Sequence, residues 1–461
     1  MEDPPSRRKQ PFSLPVDADD KATEFHPFSL SPPHMRAFHL AWISLFACFF
    51  STFSIPPLIT VIRDDLNLTQ ADIGAAGIAS FVGSIFSRLA MGPVCDIVGP
   101  RVASATLSLI TAPAILATSL VTSPKSFILV RFLVGFSLAN FVANQFWMSS
   151  MFSGCVVGLA NGVSAGWANM GAGVAQLVMP ILYTAICNLH VPNSTAWRVV
   201  FLAPALFQVV TAIMVLIYGQ DLPSGNYKDS RKRRIDSKDK FVDVLFNGLK
   251  NYRGWMLGLA YGFCFGVELT TDNIIAEYFY DRFNVNIEVA GTIAALFGMA
   301  NFFSRPMGGL LSDAMAGRFG IRGRLWALCA VQLLAGLLCV LLGRVNSLSV
   351  SILVMCLFSV FVQAASGLIF GVVPFVSKRS LGVVSGITGS GGTVGAVVTQ
   401  LLLFSGSEFS TQTSISLMGL MMIVCTIPTT LIYFPQWGGM FCGPSFEFDS
   451  NSPEEHYHLL Q

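Results

Sequence analysis

Phe86-Ser87-Arg88-Leu89-Ala90-Met91-Gly92-Pro93-Val94-Cys95-Asp96 recurs 217 residues later as Phe303-Ser304-Arg305-Pro306-Met307-Gly308-Gly309-Leu310-Leu311-Ser312-Asp313. The shared pattern is Phe-Ser-Arg, then a glycine four residues on and an aspartate four beyond that. A second pair stands at nearly the same offset, 224: Gly158-x3-Gly162-x8-Gly171-x4-Gln176 and Gly382-x3-Gly386-x8-Gly395-x4-Gln400. Two independent matches at nearly one offset read as a duplicated half with one topology.

Outward from these motifs the chain is apolar. Hydrophobic residues make up 53% of the 461 and charged residues 12%, about half the charge of an ordinary soluble protein. Lipid is the solvent that accommodates so much apolar surface. Runs of spanning length fall near 37–62, 71–95, 102–122, 126–150, 155–187, 197–219, 253–280, 288–314, 324–343, 348–376, 381–405 and 413–434. The fifth and tenth are long enough to include a bend. The expected architecture is all-α, with twelve transmembrane helices in two pseudo-symmetric six-helix halves. Parallel repeats of this kind are those of the major facilitator superfamily, with a substrate site near mid-membrane at the repeat interface. The expected divisions are a cytoplasmic N-terminal tail (1–35), a first half (36–219), a basic cytoplasmic linker (220–252) carrying Arg231-Lys232-Arg233-Arg234, a second half (253–435) and a short cytoplasmic C-terminal tail (436–461).

Of 28 Lys and Arg, three lie inside spans; with both termini cytoplasmic, 20 fall on the cytoplasmic side and five on the other. That asymmetry sets the orientation. It also puts the sequons at Asn67 and Asn193 on the non-cytoplasmic face. A net charge of +2 gives no signal for nucleic acid, and the ten cysteines and six histidines lack metal or disulfide spacing. No nucleophile–base constellation or cofactor motif suggests an enzyme.

Arg88 and Arg305 each lie eight residues before an aspartate at a helix end, about 12 Å along a helix and so near the bilayer midplane. Two fixed cations from the two halves would face one another and make a site for a small anion. Their planar forks suit a planar oxyanion. The alternative is that each pairs structurally with a buried carboxylate, although neither helix has an acid within one turn of its arginine. Arg131 and His39 read as structural.

Gly92, Asp96, Gly99 and Arg101 form a loop signature, with Gly309, Asp313, Gly317 and Arg318 as a looser copy; the Asp/Arg pair reads as a conformational latch. Gly158, Gly162, Gly166, Gly171 and Gly173 in the fifth span, and Gly386, Gly389 and Gly395 in the eleventh, read as helix-packing positions. Asn169 shares a face with Gly162 and Gly166, where it either donates to substrate or bonds a neighbouring backbone. Tyr261, Phe265, Glu268 and Asp272 share one face of the seventh span. The aromatics are candidate walls for an ion. The carboxylates are candidates either for proton coupling or for helix-to-helix salt bridges.

The run Gly158-Leu-Ala-Asn161-Gly162-Val-Ser-Ala-Gly166-Trp167-Ala-Asn169-Met170-Gly171-Ala-Gly173 resembles the signature of the nitrate/nitrite porter family, and Ser385-Gly386-Ile-Thr-Gly389-Ser-Gly391-Gly392-Thr-Val-Gly395 resembles its second copy. The likeness covers residues 26–440. Gly266-Val-Glu-Leu-Thr-Thr-Asp-Asn273 and Phe434-Pro-Gln-Trp-Gly-Gly439 are similar to plant high-affinity nitrate transporters, above all the seed-associated, vacuolar-membrane branch. The resemblance implies nitrate bound by Arg88 and Arg305, with Asn169, Tyr261, Phe265 and Phe141 around it. It implies proton-coupled symport in nitrate assimilation, with nitrate/nitrite exchange or a non-transporting sensor as alternatives. Nitrite and chlorate are further candidate anions, and a small accessory membrane subunit a candidate partner. The vacuolar membrane is the expected location, the plasma membrane the alternative.

Overall fold

The computed structural model describes residues 12–227, 241–285, 287–404 and 409–445; the basic run at Arg231–Arg234 lies outside them. Ten helical spans long and apolar enough to cross a membrane are His34–Leu58, Ala71–Val98, Pro100–Leu120, Pro124–Met151, Val157–Cys187, Asn193–Tyr218, Ile321–Leu342, Leu348–Phe375, Leu381–Leu403 and Thr411–Leu431. Two interrupted spans complete the twelve. The seventh consists of Tyr252–Gly262 and Phe265–Phe283, the eighth of Ile287–Met299 and Asn301–Phe319. Breaks also fall in the first span, between Thr52 and Pro56, and in the sixth, at Phe201, whereas the fifth and tenth have none. The fifth is one helix from end to end, despite Pro180. In the seventh, Gly262 packs directly against Gly395 of the eleventh span, leaving no room there for a side chain. The helical backbone lapses just beyond, at Phe263 and Cys264.

Helix starts follow local chemistry. Thr69 and Asp72 form a reciprocal capping box at the second span, and Ser123 caps the fourth ahead of Pro124. Side-chain periodicity then sorts faces. Phe86 is 61% exposed to the lipid side while Arg88 is 0% exposed, and Phe303 and Arg305 repeat this at 65% and 1%. Each arginine thus turns inward on a helix whose neighbouring phenylalanine faces hydrocarbon.

The halves meet along two helix pairs, the second with the eleventh span and the fifth with the eighth. Their crossings are backbone-close: Gly92 lies against Gly382, and Gly309 against Gly158, as the repeat relates them. Gly162 and Gly166 abut the backbone at Arg305 and Asn301, Gly386 abuts that at Arg88, and Gly171 packs on the first span at Phe46. Gly173 and Gly389 are less tightly enclosed, with nearest neighbours 3.6 and 3.5 Å from a Cβ position. Nothing approaches such a position on Gly74 or Gly77 within 4 Å. The interface is therefore sealed at the terminal face, where the first span begins and the twelfth ends, and looser toward the opposite one.

Candidate functional site

Arg88 and Arg305 lie at the centre of that interface. The Arg88 guanidinium carbon is 5.3 Å and that of Arg305 5.1 Å from the centroid of the Phe265 ring. Their separation therefore cannot exceed 10.4 Å, the sum of the two. Phe141 lies 5.2 Å from the Arg88 carbon. Phe141, Tyr261 and Phe265 stack with one another, Tyr261 and Phe265 at 5.0 Å, and Phe370 stands edge-on to Phe141 and Tyr261 at 4.9 and 5.2 Å. Rings brought from the fourth, seventh and tenth spans thus wall a pair of cations. Gly392 makes room for them: a Cβ there would strike both Tyr261 and Phe265.

The two arginines differ in their partners. Arg88 donates through Nη1 to the Gly389 carbonyl at 2.7 Å and through Nε to that of Leu138 at 3.3 Å. Its Nη2 is buried without a hydrogen bond, and Arg88 has no acidic partner among the described residues. Arg305 donates through Nη2 to Glu268 at 2.7 Å and through Nε to Asn301 at 2.6 Å. The two arginines, equivalent in the sequence repeat, are thus distinguished: an acid three residues past Phe265, on another helix, reaches Arg305 alone. Spacing along the eighth span could not reveal a partner on the seventh. Asp272 lies one turn beyond Glu268, partly exposed and beside Gly298. The Tyr261 hydroxyl is buried, lacks a well-formed hydrogen bond and lies within electrostatic reach of both arginines.

Asn169 donates to the Ala165 carbonyl of its own helix at 2.7 Å. Arg131 donates to the Thr52 carbonyl, and His39 bridges Ser29 and Trp42.

At the terminal face, Asp96 does not pair with Arg101. Its two oxygens accept the N–H groups of Gly382 and Val383 at 3.1 Å each, capping the eleventh span from the opposite half. Asp313 does the same for Gly158 and Leu159 of the fifth span, at 3.1 and 2.6 Å. Arg101 instead meets Asp221 beside Gly99. Burial raises the Asp221 carboxyl, opposed by the Arg101 and Tyr227 amides and the Arg101 charge. Arg324, not Arg318, pairs with Asp313, at 2.7 Å. Helix N-termini carry partial positive charge and unpaired N–H groups, so a carboxylate at the crossing finds the facing helix end before the nearest arginine in sequence.

The sequence profile of the Major Facilitator Superfamily matches residues 41–400. The high affinity nitrate transporter 2.7 of Arabidopsis thaliana is 65% identical over 98% of this chain and 94% of its own length. The high-affinity nitrate transporter 2.3 of Oryza sativa subsp. japonica is 57% identical over 97% of this chain and 87% of its own. The chain belongs to the Major Facilitator Superfamily, among the plant high-affinity nitrate transporters. Solved structures agree on the superfamily fold. The transporter FucP in the outward conformation superposes with a TM-score of 0.63 at 15% identity, over 86% of this chain and 98% of that one. The proton:xylose symporter XylE gives 0.63 at 13% identity, over 85% and 94%.

Within this superfamily scaffold the structure adds four residues to those the motifs single out: Asn301, Phe370, Arg324 and Asp221. Asn301 stands one turn before Arg305 and was visible as a polar residue on the arginine's face. Phe370 is one of 38 phenylalanines, and only contact singles it out.

Proposed function

We propose that this chain carries nitrate across a membrane by alternating access, with the anion held between Arg88 and Arg305. One observation carries the reading: Arg88 is a buried guanidinium with an unfilled Nη2 and no acidic partner, sharing the ring of Phe265 with a second guanidinium. A lone cation at mid-membrane costs about 2.5–3.5 kcal/mol even on the lenient insertion scale, and an anionic substrate offsets that cost. The flat fork and aromatic walls suit a flat oxyanion, and the Tyr261 hydroxyl is a spare donor. Nitrite and chlorate share enough of this chemistry to compete. The names of the plant relatives support nitrate, and a Nostoc punctiforme relative, 26% identical over 86% of this chain, is named a nitrate/nitrite transporter.

Proton-coupled symport is the favoured mode, with Glu268 and Asp272 as the intramembrane carboxylates that take the proton. The halves 36–219 and 253–435 rock about the arginines, and both termini face the cytoplasm, as the Lys/Arg asymmetry favours. The vacuolar membrane is the favoured location.

Purified full-length chain in liposomes tests this by labelled nitrate flux, with and without a small accessory membrane subunit. A pH gradient alone is expected to drive nitrate inward. Flux that requires nitrite on the opposite side identifies an exchanger instead. Absence of nitrate flux under both conditions overturns the transport reading.

A further inference from the structure

Glu268, Asn301 and Arg305 close a ring of three hydrogen bonds. Arg305 Nη2 donates to Glu268 Oε2 at 2.7 Å, Asn301 Nδ2 donates to Glu268 Oε1 at 2.7 Å, and Arg305 Nε donates to Asn301 Oδ1 at 2.6 Å. All three residues are at most 3% exposed. Arg88 has no such arrangement and keeps a free donor. The sequence repeat makes the two arginines equivalent, yet the site is electrically lopsided.

A carboxylate and a small oxyanion look alike to a guanidinium: flat, delocalised and bearing two oxygens that match the fork. Glu268 therefore presents to Arg305 what an anionic substrate would present. We propose that Glu268 is a tethered anion, positioned on Arg305 by Asn301 in the empty transporter, and that an incoming oxyanion first held at Arg88 displaces it. This rests on the anion site proposed above and adds the order of engagement and a resident competitor. Exchange of one anion for another keeps Arg305 compensated throughout, which avoids leaving it bare in a buried setting. The displaced carboxylate loses its cation. Around it, among the described residues, stand Arg305 from the eighth span and Asp272 and Cys264 from its own; Tyr261 faces Arg305 from the same span, and the eleventh span, Leu381–Leu403, carries no ionisable residue. Asn301 is a positioning residue, bonded to both members of the pair.

The test is nitrate binding by calorimetry to the full chain in detergent, for wild type, Glu268→Gln and Asn301→Ala. Glutamine retains the oxygen and the shape but not the charge. If the pair leaves Arg305 available for about a tenth of the time, removing the competitor tightens apparent affinity about tenfold. Asn301→Ala is expected to tighten it less. An unchanged or weaker affinity in folded Glu268→Gln overturns the proposal. Infrared difference spectra of wild type on nitrate addition give a readout that needs no variant. A shifted carboxylate stretch is expected, and its absence overturns the proposal whether or not the variants fold. A wild type that binds no nitrate at all sinks the anion site itself, whereas nitrate binding without the carboxylate shift sinks only the displacement.

Discussion

Arg88 and Arg305, on helices of opposite halves, hold their guanidinium carbons 5.3 and 5.1 Å from the centroid of one ring, that of Phe265. A single aromatic side chain from the seventh span thus keys together two cations that lie 217 positions apart. Its negatively polarised faces moderate the repulsion between them, and its bulk excludes water from a site where every donor then counts for more.

Replacing either arginine by lysine keeps the charge and removes the fork. Charge-assisted hydrogen bonds contribute about 1.5–3 kcal/mol each, so loss of one donor predicts roughly a tenfold to hundredfold weaker nitrate affinity. Arg88→Lys is expected to fall further than Arg305→Lys, because Arg88 carries the unoccupied donor. Nitrate uptake kinetics in oocytes or liposomes check this, and near-normal uptake by both variants would refute the site.

Tyr261→Phe preserves the stack with Phe265 and deletes a buried hydroxyl that has no well-formed hydrogen bond in the empty site. The empty protein should therefore lose no stability, while nitrate affinity drops by the worth of one neutral hydrogen bond, about 0.5–1.5 kcal/mol. Thermal unfolding and nitrate binding measured on the same preparation separate the two effects.

Asp96→Asn and Asp313→Asn weaken the two caps that tie the halves at the terminal face. A charge at a helix N-terminus contributes about 0.3–1 kcal/mol, up to about 2 when partly buried. Asp96→Asn should accordingly shift the balance of conformers toward opening at that face. Asp313→Asn should also destabilise the fold, because it strands Arg324, which is 1% exposed. Spin-label distances across the terminal face, together with melting temperatures, report the two outcomes.

Gly162→Ala places a methyl group 2.6 Å from the Arg305 carbonyl oxygen. Overpacking of this kind costs about 1–3 kcal/mol, and here it also moves the helix that carries the second arginine. Lower thermal stability and reduced nitrate uptake are expected together. Gly173→Ala, where the nearest neighbour is 3.6 Å away, serves as the tolerant control.

The repeat, the midplane depth of the arginines and the glycine faces were all legible because each is periodic: a helix converts spacing directly into depth and direction. Glu268 was visible as an intramembrane acid, but its partner was not, since Arg305 lies 37 residues away on another span. The Asp96–Arg101 latch was misread for the same reason. Adjacency in sequence suggested the pair, while the nearest complement in space was the N-terminus of the eleventh span.

By itself, then, the sequence determined a membrane-embedded, duplicated helical chain with one inward-facing arginine per half, because hydropathy and helical period act locally and need no knowledge of neighbours. Only the tertiary structure decided which arginine stays uncompensated, which aspartate caps which helix, and that Phe370 and Asn301 belong to the site. Those outcomes depend on distances of a few ångströms between spans, and hydrogen bonds and ion pairs are set by such distances rather than by order along the chain.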